Sequence, residues 1–377
     1  MSMSAQSVEA LATGDALVLV GTTKGLFTLR SGDGRTRFEL SGPAFPGEEV
    51  YATCIDSRSG ATRLFIGSVS NHWGPVLRRS DDLGATWTED QRAALRFPEG
   101  SDASLARIWL LACGPHDEPE VLYAGVEPAA LFRSDDGGRS FSLVRGLWDH
   151  PQRTEWQPGG GGLCLHTVLV HPDDSDRLLV AISAAGVYRS DDGGSSWRAS
   201  NRGIVVGFVP EGEAVEFGQC VHKVARDAAD AERLYLQHHG GIYRSDDGGA
   251  TWTAMTGIAG MDFGFPVVAH PTRPSTAYLL PLESDEYRCT PDGRCVVWRT
   301  SDAGATWEPL TTGLPQRDAH LTVLRDGFTT DGQDPAGLYF GTRTGEVYAS
   351  IDDGDSWRLL AQHLPPVMSV RAAPVVV

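Results

Sequence analysis

A seven-bladed β-propeller built from four-stranded antiparallel blades is the fold class that this sequence of 377 residues predicts. One octapeptide, with the common pattern S-x-D-x-G-x-[ST]-[WF], recurs six times, and successive copies are 50 to 56 residues apart. A fixed period of that length is typical of propellers and solenoids. The third position of the octapeptide is occupied in order by Asp82, Asp136, Asp192, Asp247, Asp302 and Asp352.

Each repeat predicts four short strands separated by turn residues. In the fourth repeat they are "LHTVLVHP" from Leu165, "RLLVAIS" from Arg177, "GVYRS" from Gly186 and "SSWRAS" from Ser195. The octapeptide falls between the third and fourth strands. There its aspartate can accept hydrogen bonds from turn amides, its glycine can adopt a positive φ, and its aromatic residue can pack between neighbouring sheets.

The seventh repeat is divided between the two ends of the chain. Residues 16–40 match the second, third and fourth strands, but no first strand precedes them. The string "VMSVRAA" from Val367 supplies the missing strand, so residues 366–373 should pair into the first blade and close the ring. Closure removes exposed strand edges. The sequence therefore predicts a single propeller domain over residues 1–377.

Charge and hydropathy narrow the range of partners. The formal net charge is −17, which repels nucleic-acid backbones and anionic membranes and favours neutral or cationic partners. The N-terminal residues carry no secretory signal pattern, and no apolar run has the ~18 residues of a membrane span. We expect a cytoplasmic protein that binds neither nucleic acid nor membranes and acts on a small-molecule or glycan-like substrate.

The six cysteines show no CxxC spacing, which gives no sign of a compact metal motif. Cys289 and Cys295 flank the turn "TPDGR", which can bring them together. In a reducing compartment, two free thiols are the expected state of this pair.

The octapeptide is identified as the Asp-box, or BNR, repeat, and the whole chain resembles the BNR-repeat propellers. This superfamily includes sialidases, xyloglucan-degrading glycosidases, sortilin-type receptor domains and a photosystem assembly factor. The resemblance implies the propeller fold. It does not assign an activity, because the boxes of these relatives lie away from the active face and one fold hosts many functions.

The sialidase branch of the resemblance implies three arginines for a substrate carboxylate, a Tyr/Glu nucleophile pair and an acid/base Asp. The early "RIP" motif of sialidases is absent, and the nearest string is "ARIWL" from Ala106. Arg325 and Arg343 lie late in the chain, but the sequence does not assign a triad, and no tyrosine is predicted beside a candidate glutamate. Classical sialidase activity is therefore not predicted.

Candidate chemistry gathers where the first strands and the loops between second and third strands share one face of a propeller. The predicted catalytic residues on that face are His72, Glu127, Glu155, His166, His222 and His239. Four of them, His72, His166, His222 and His239, are also the predicted ligands of one divalent Zn, Mn, Fe or Cu ion. Such an ion would acidify a bound water for attack on the substrate. The alternative is a channel lined by imidazoles without a cofactor.

Long connectors reach the same face and predict substrate contacts. They span residues 92–106, 145–162 and 201–218, and the second contains "WDHPQRTEWQPGGGG". The predicted substrate-binding residues are Trp73, Trp148, Arg153, Trp156, Glu283 and His320. A mixture of aromatic, basic and acidic side chains suits a polar small molecule or a sugar.

Two functions of different class follow from this face. The first is a hydrolase or lyase of glycoside-hydrolase-like type, for which Glu127, Glu155, Asp262 and Glu283 are the available carboxylates. The second is a non-catalytic binding or assembly propeller that recognises a peptide or protein. The cluster of histidines and carboxylates favours the enzyme, because protein-binding surfaces are depleted in charged groups at their core.

Overall fold

The computed structural model describes residues 11–88, 94–205, 216–258 and 263–377. Almost all regular structure is β. The strands in chain order are β1 Ala16–Thr22, β2 Gly25–Ser31, β3 Glu39–Ala44, β4 Glu49–Asp56, β5 Arg63–Ser70, β6 Gly74–Ser80, β7 Arg107–Cys113, β8 Leu122–Glu127, β9 Ala130–Ser134, β10 Ser142–Leu143, β11 Leu165–His171, β12 Asp174–Ile182, β13 Gly186–Ser190, β14 Arg198–Ala199, β15 Val221–Arg226, β16 Leu234–His238, β17 Gly241–Ser245, β18 Thr253–Ala254, β19 Gly264–Ala269, β20 Ala277–Pro281, β21 Val297–Thr300, β22 Glu308–Leu310, β23 Phe328–Thr330, β24 Leu338–Gly341, β25 Val347–Ser350, β26 Arg358–Ala361 and β27 Val367–Pro374.

Within the described ranges, helical structure is confined to three short segments. The helix α1 covers Arg145–Trp148, and 3-10 turns cover Pro151–Glu155 and Pro291–Gly293. Among the described residues, no helix has the length and apolarity needed to cross a membrane.

The strands form seven antiparallel sheets, which confirms the predicted propeller. Six sheets have four strands, and the sheet β4-β5-β6 has three strands within the described residues. In that second blade the Thr88 amide donates to the Arg79 carbonyl, 2.8 Å away, and residues 89–93 lie outside the described part of the chain.

The C-terminal strand closes the ring, as predicted. The first blade has the strand order β27-β1-β2-β3, and β27 pairs antiparallel with β1 from Thr22↔Val367 to Ala16↔Pro374. Val367 and Val370 are buried in one cluster with Tyr339 and Val347 of the seventh blade. The C-terminal strand therefore pairs with the N-terminal strand β1 and also packs against the seventh blade.

The Asp boxes have the structural role that the sequence predicts. In the fifth blade, Asp247 Oδ1 accepts hydrogen bonds from the Thr251 amide and from Ser245 Oγ, each at 2.8 Å. Gly249 has a φ of +87°, and a Cβ on it would lie 2.9 Å from Leu179 of the fourth blade. The box thus needs glycine both for its backbone conformation and for the close approach of the adjacent blade.

A pH dependence follows from these hydrogen bonds. Donation by the side chain and then the amide of Ser196 lowers the pKa of Asp192 to about 2. Because this folded-state pKa is depressed, the stabilisation is present above the unfolded value of ~3.9 and is lost as pH falls through about 2. We expect the melting midpoint to fall on acidification, and to fall less steeply in Asp192→Asn.

The matched control is Asp191→Asn, which changes the neighbouring aspartate of the same turn, where the carboxylate pairs with Arg198 at the surface. Melting curves recorded between pH ~5 and ~2 give the comparison. An unchanged acid slope in Asp192→Asn would contradict this role for the box.

Candidate functional site

A cavity of about 790 Å³ opens at the end of the ring where the inner strands begin. All seven blades contribute to its wall, so the closed ring fixes the relative positions of side chains that are far apart in the chain. The residues that line it are Tyr51, Arg107, Trp109, Gly159, Gly160, Gly161, Ser183, Ala184, Gly218, Cys220, His222, His239, Phe263, Phe265, Arg288, Thr322, Leu324, Arg325, Asp326, Arg343 and Met368.

Four arginines give the cavity a positive charge within an acidic protein. Arg107 is neutralised by Glu127, whose carboxylate lies 3.1 Å from the Arg107 Nη1 and also accepts from Trp109 Nε1 at 3.0 Å. The guanidinium groups of the other three, Arg288, Arg325 and Arg343, have no carboxylate within 4.0 Å in the part of the chain that the structure describes.

The contacts of these three arginines are with neutral groups. Arg288 Nε donates to the carbonyl of Asp285 at 2.7 Å, and Arg325 Nη1 lies 3.3 Å from Cys164 Sγ. Arg343 contacts the sulfur of Met368. Much of the donor capacity of the three guanidinium groups therefore remains for a ligand.

Aromatic side chains supply the apolar part of the wall. The rings of Tyr51 and Trp109 lie 5.1 Å apart, and the Arg107 guanidinium stacks 4.2 Å from the Tyr51 ring. Phe263 and Phe265 form an edge-to-face pair with ring centres 5.4 Å apart on the side of the sixth blade. Cavities that bind small molecules commonly combine such surfaces with a few fixed polar groups.

Tyr51 lies close to Glu49, a carboxylate that the sequence pattern does not single out. Glu49, two residues before Tyr51 on β4, lies near enough to influence the ionisation of the Tyr51 hydroxyl. Burial is the main cause that raises the pKa of Tyr51, Glu49 raises it further, and Arg107 and Arg343 oppose the shift. The phenol is thus protonated at neutral pH and has a base beside it.

An ion pair forms the floor of the cavity. Lys223 Nζ lies 2.6 Å from Asp326 Oδ1; Asp326 lines this cavity, and both residues line a second cavity of about 440 Å³. Burial lowers the pKa of Lys223, whereas Asp326 raises it. Because its charge is matched by Lys223, Asp326 is a poor candidate for a free catalytic carboxylate.

Cys220, His222 and His239 form a compact group in the wall of the fifth blade. One potential ligand atom of each residue lies within 4.8 Å of the other two, and Cys220 Sγ is 3.6 Å from His222 Nε2. Burial, followed by the positive charge of Arg325, lowers the pKa of His222 to about 3. Its imidazole is therefore neutral at physiological pH.

His166 and His222, which occupy matching sequence positions, have different environments. Each bonds a carbonyl of the next blade: His166 Nε2 lies 3.0 Å from the Val221 oxygen, and His222 Nδ1 lies 2.6 Å from the Gly264 oxygen. The second nitrogen of His166 lies 3.0 Å from Thr167 Oγ1, and the residue is fully buried. His166 thus joins two blades and offers no nitrogen to the cavity, whereas Nε2 of His222 faces Cys220.

The other predicted site residues are dispersed around the rim. Glu127 lies beside the cavity but is held by Arg107 and Trp109. His320 bonds the Tyr287 hydroxyl at 2.9 Å, outside the residues that line the cavity. The remaining four, His72, Trp73, Glu155 and Glu283, are exposed and do not line it either. Asp262 lies outside the described residues.

The second connector contributes glycines to the cavity rather than its tryptophans. Trp148 packs 4.9 Å from the Phe97 ring and beneath the Arg153 guanidinium, whereas Trp156 is buried and donates from Nε1 to Tyr188 Oη at 2.7 Å. None of Trp148, Arg153 and Trp156, which the sequence assigns to substrate binding, lines the cavity. A Cβ on Gly160 would lie 3.8 Å from Arg288, so the glycine segment lies close to the arginines.

Comparison with known families supports the repeat assignment. Residues 243–254 match the family described as BNR/Asp-box repeat. Together with seven sheets in a closed ring, this match defines the class of protein: a β-propeller with a polar cavity at one end of its channel. The chain thus contains a BNR/Asp-box repeat within a seven-bladed propeller.

Curated relatives carry names from polysaccharide degradation. A xyloglucanase of Hypocrea jecorina is 26% identical over 276 residues, which cover 65% of this chain and 30% of that protein. A Paenibacillus xyloglucanase is 25% identical over 79% of this chain and 30% of its own length. An oligoxyloglucan-reducing end-specific xyloglucanase of Emericella nidulans is 24% identical, over 77% of this chain and 39% of its own length. The chain thus spans 30 to 39% of the length of these relatives.

Solved structures share the fold at low sequence identity. The GH74 xyloglucanase from Xanthomonas campestris superimposes with a TM-score of 0.64 at 19% identity, over 94% of this chain and 54% of that one. YCF48 bound to D1 peptide superimposes with a TM-score of 0.53 at 12% identity, over 94% of this chain and 88% of that one.

Proposed function

We propose that this propeller is a carbohydrate-acting enzyme whose substrate is a small acidic sugar, or the acid-bearing end of a glycan, bound in the 790 Å³ cavity. The observation that carries this proposal is the group of three arginines, Arg288, Arg325 and Arg343, with no carboxylate partner among the described residues. Arg288 is exposed and Arg325 and Arg343 are half-buried, so all three guanidinium groups are accessible to an anionic ligand in the cavity. Guanidinium groups bind carboxylates, sulfates and phosphates through paired hydrogen bonds.

The remaining wall suits the ring of a sugar. Tyr51, Trp109, Phe263 and Phe265 provide apolar surface, and the glycine segment 159–161 leaves backbone groups accessible beside the arginines. The cavity volume lies in the range of ~300 to ~1,000 Å³ that is common for small-molecule sites. The net charge of −17 does not prevent this, because the local charge of the cavity is opposite to that of the surface.

Tyr51 and Glu49 are the residues that we assign to the chemistry. In the proposed reaction, Glu49 accepts the phenolic proton as Tyr51 Oη attacks the anomeric carbon and the glycosidic bond breaks, and that proton then passes to the oxygen of the leaving alcohol. Water later hydrolyses the glycosyl-tyrosine bond, with its hydroxyl going to the sugar and its proton to Tyr51 Oη. Tyrosine nucleophiles occur in glycosidases, as do pairs of carboxylates. The carboxylates of Glu127 and Asp326 are engaged with Arg107 and Lys223, which makes them weaker candidates for that pair.

The relatives support a carbohydrate substrate, since the three described above are xyloglucanases by name. They do not determine which carbohydrate this chain uses, because it spans only part of their length. Xyloglucan oligosaccharides therefore belong in the test beside acid-bearing sugars.

The proposal is tested by turnover of a defined panel. The panel contains glycosides that end in hexuronic acid, sialic acid, a sulfated sugar or a phosphorylated sugar, together with xyloglucan oligosaccharides. Reducing-end release detects cleavage, and absorption by an unsaturated uronate separates elimination from hydrolysis. We expect hydrolysis of at least one acid-bearing substrate, whereas turnover of xyloglucan alone would overturn the assignment of an acidic substrate.

Arginine variants locate the anion site. A hydrogen bond to a charged group contributes ~1.5 to ~3 kcal/mol, so Arg325→Ala or Arg343→Ala should lower kcat/KM for the acidic substrate by about 10- to 100-fold. Arg198→Ala is the matched control, because Arg198 is half exposed and pairs with Asp191 away from the cavity. Equal activity in all three variants would contradict an arginine-bound substrate.

A Tyr51→Phe variant separates binding from chemistry. It removes one hydroxyl and retains the ring that packs on Trp109. We expect kcat to be lost while the acidic substrate still binds, as measured by calorimetry. A variant that keeps its kcat would exclude Tyr51 as the nucleophile.

The second candidate function is a binding propeller for a peptide or protein. It is favoured by the likeness to YCF48 bound to D1 peptide, which extends over most of both chains. Absence of turnover across the panel, combined with saturable binding of acidic peptides that is lost in Arg325→Ala, would support this function over catalysis.

A further inference from the structure

We propose that Cys220, His222 and His239 form a mononuclear zinc site whose open coordination position faces the central cavity. This site goes beyond the proposed carbohydrate chemistry and does not depend on it. The donor set also differs from the four histidines that the sequence predicts, because it includes a cysteine and excludes His166 and His72.

The backbone of the fifth blade brings the three residues together. Cys220 immediately precedes β15, and His239 immediately follows β16; the His239 amide donates to the Cys220 carbonyl at 3.0 Å. The pairing of β15 with β16 shifts register between Val221 and Lys223, so His222 lies at a bulge. Bulges often redirect a side chain near a functional site. Two adjacent strand ends therefore hold all three donors.

The distances suit one small ion. Zinc bonds of ~2.3 Å to sulfur and ~2.0 Å to nitrogen, at a tetrahedral angle, place the two donors about 3.6 Å apart. Cys220 Sγ and His222 Nε2 are 3.6 Å apart. The third donor, from His239, lies within 4.8 Å of both, so a small side-chain movement completes the set.

Outer contacts orient both imidazoles. His222 Nδ1 lies 2.6 Å from the Gly264 carbonyl and must donate to it, which leaves the lone pair of Nε2 on the side of Cys220. Asp285 Oδ2 lies 3.3 Å from His239 Nε2. Pairing of a ligand histidine with a carbonyl or carboxylate is a common feature of metal sites, and it fixes the ring orientation.

The chemical type of the donors favours zinc among the candidate metals. Thiolate and imidazole groups suit zinc and copper, whereas manganese prefers oxygen donors. Three protein ligands with an open fourth position are typical of catalytic zinc rather than structural zinc. All three residues line the cavity, so the fourth position is accessible to water or to a ligand.

Both positive and negative groups lie near the proposed zinc ion. Arg325 lies near enough to influence the ionisation of Cys220 and His222, and its positive charge opposes a dication. The Cys220 thiolate and the Asp285 carboxylate supply two negative charges beside the same ion. Together these two charges would balance the charge of the dication.

The experiment uses cobalt as a spectroscopic substitute for zinc in the full chain without substrate. After treatment with a chelator, the protein is titrated with Co(II), and we expect one ion per chain with a sulfur-to-cobalt charge-transfer band. Zn(II) should displace it. The Cys220→Ser variant should lose the charge-transfer band, and His239→Gln should bind cobalt at least about 10-fold more weakly. The Asp285→Asn variant should weaken binding by about 10- to 100-fold.

Matched controls separate ligation from loss of folding. Cys289→Ser and His320→Gln alter a cysteine and a histidine outside the three-residue group, and both should keep the full cobalt spectrum. Melting curves confirm that each variant is folded; His239 and Cys220 are at least partly exposed, so their variants should fold even if His222→Gln does not.

Three results would contradict the proposed zinc site. No cobalt or zinc binding by the wild type, or an unchanged charge-transfer band in Cys220→Ser, would remove the site. Binding of copper without cobalt or zinc would overturn the assignment to zinc. Because these spectra require no substrate, they distinguish failure of the metal site from failure of the proposed carbohydrate activity.

Discussion

Removal of residues 367–377 is expected to leave the protein insoluble or largely unfolded. The deletion takes away the whole of β27, which pairs with β1 over the full length of that strand. It also removes the buried side chains of Val367, Val370 and Val375. At ~1.5 to ~3 kcal/mol for each buried valine, the loss is roughly 5 to 9 kcal/mol, comparable with the total stability of ~5 to ~15 kcal/mol of a typical protein.

The exposed edge adds to this loss. Without β27, the strand β1 presents unpaired backbone groups, and such an edge promotes aggregation. Solubility after expression and the thermal midpoint are the measurements. Deletion of Val377 alone is the control, since its side chain is 72% exposed and it lies beyond the paired strand. A protein lacking residues 367–377 that remains soluble with an unchanged melting curve would rule out this mode of ring closure.

The propeller fold could be predicted from sequence because its determinants are local and repeated. Each box must combine Ser or Thr, Asp and Gly at fixed positions to complete its turn, as Ser245, Asp247 and Gly249 do. The split blade could be recognised because every other unit sets the expected order of strands. The six copies of the box therefore each predict the same four-stranded blade.

The cavity could be predicted only in part, because its residues are single members of different blades. His222 and His239 were identified from their strand ends, and both line the cavity. His166 has the same sequence context as His222, but both of its nitrogens are engaged. The residue after His166 is Thr167, whose hydroxyl bonds the second imidazole nitrogen of His166. The residue after His222 is Lys223, which makes no such bond with His222. The strand pattern around the two histidines does not reveal this difference.

The grouping of the three arginines could not be predicted: the sequence points to Arg325 and Arg343 without assigning them a role, and it does not single out Arg288. Arg288 follows β20 and Arg343 follows β24, which are positions equivalent to those searched for histidine and carboxylate. A search of these loops for any charged residue, rather than for metal ligands, places Arg288 and Arg343 on the same face. Trp148 and Trp156 show the opposite error, because a loop rich in aromatic residues was interpreted as a binding surface, whereas the two rings anchor the connector in the core.

Substitution of Trp252 by alanine is expected to lower the free energy of unfolding by ~3 to ~5 kcal/mol without changing ligand binding by the folded protein. Trp252 is 3% exposed and packs with Leu179 and Val187 of the fourth blade as well as Leu234 of its own blade. Its Nε1 donates to the Ser200 carbonyl at 2.8 Å. The variant therefore leaves a cavity between two blades and deprives a buried carbonyl of its donor.

Graded controls distinguish this packing role from a catalytic one. Trp252→Phe retains most of the ring volume, as Phe141 does at the same position of the second box, and should cost less than Trp252→Ala. Leu359→Ala removes a 43% exposed side chain and should change stability by no more than ~0.5 kcal/mol. Denaturant unfolding measures all three variants, and the panel of acidic and xyloglucan substrates measures their activity. Because Trp252 does not line the cavity, stability alone should change; normal stability with lost activity would place the functional site at the Asp boxes instead.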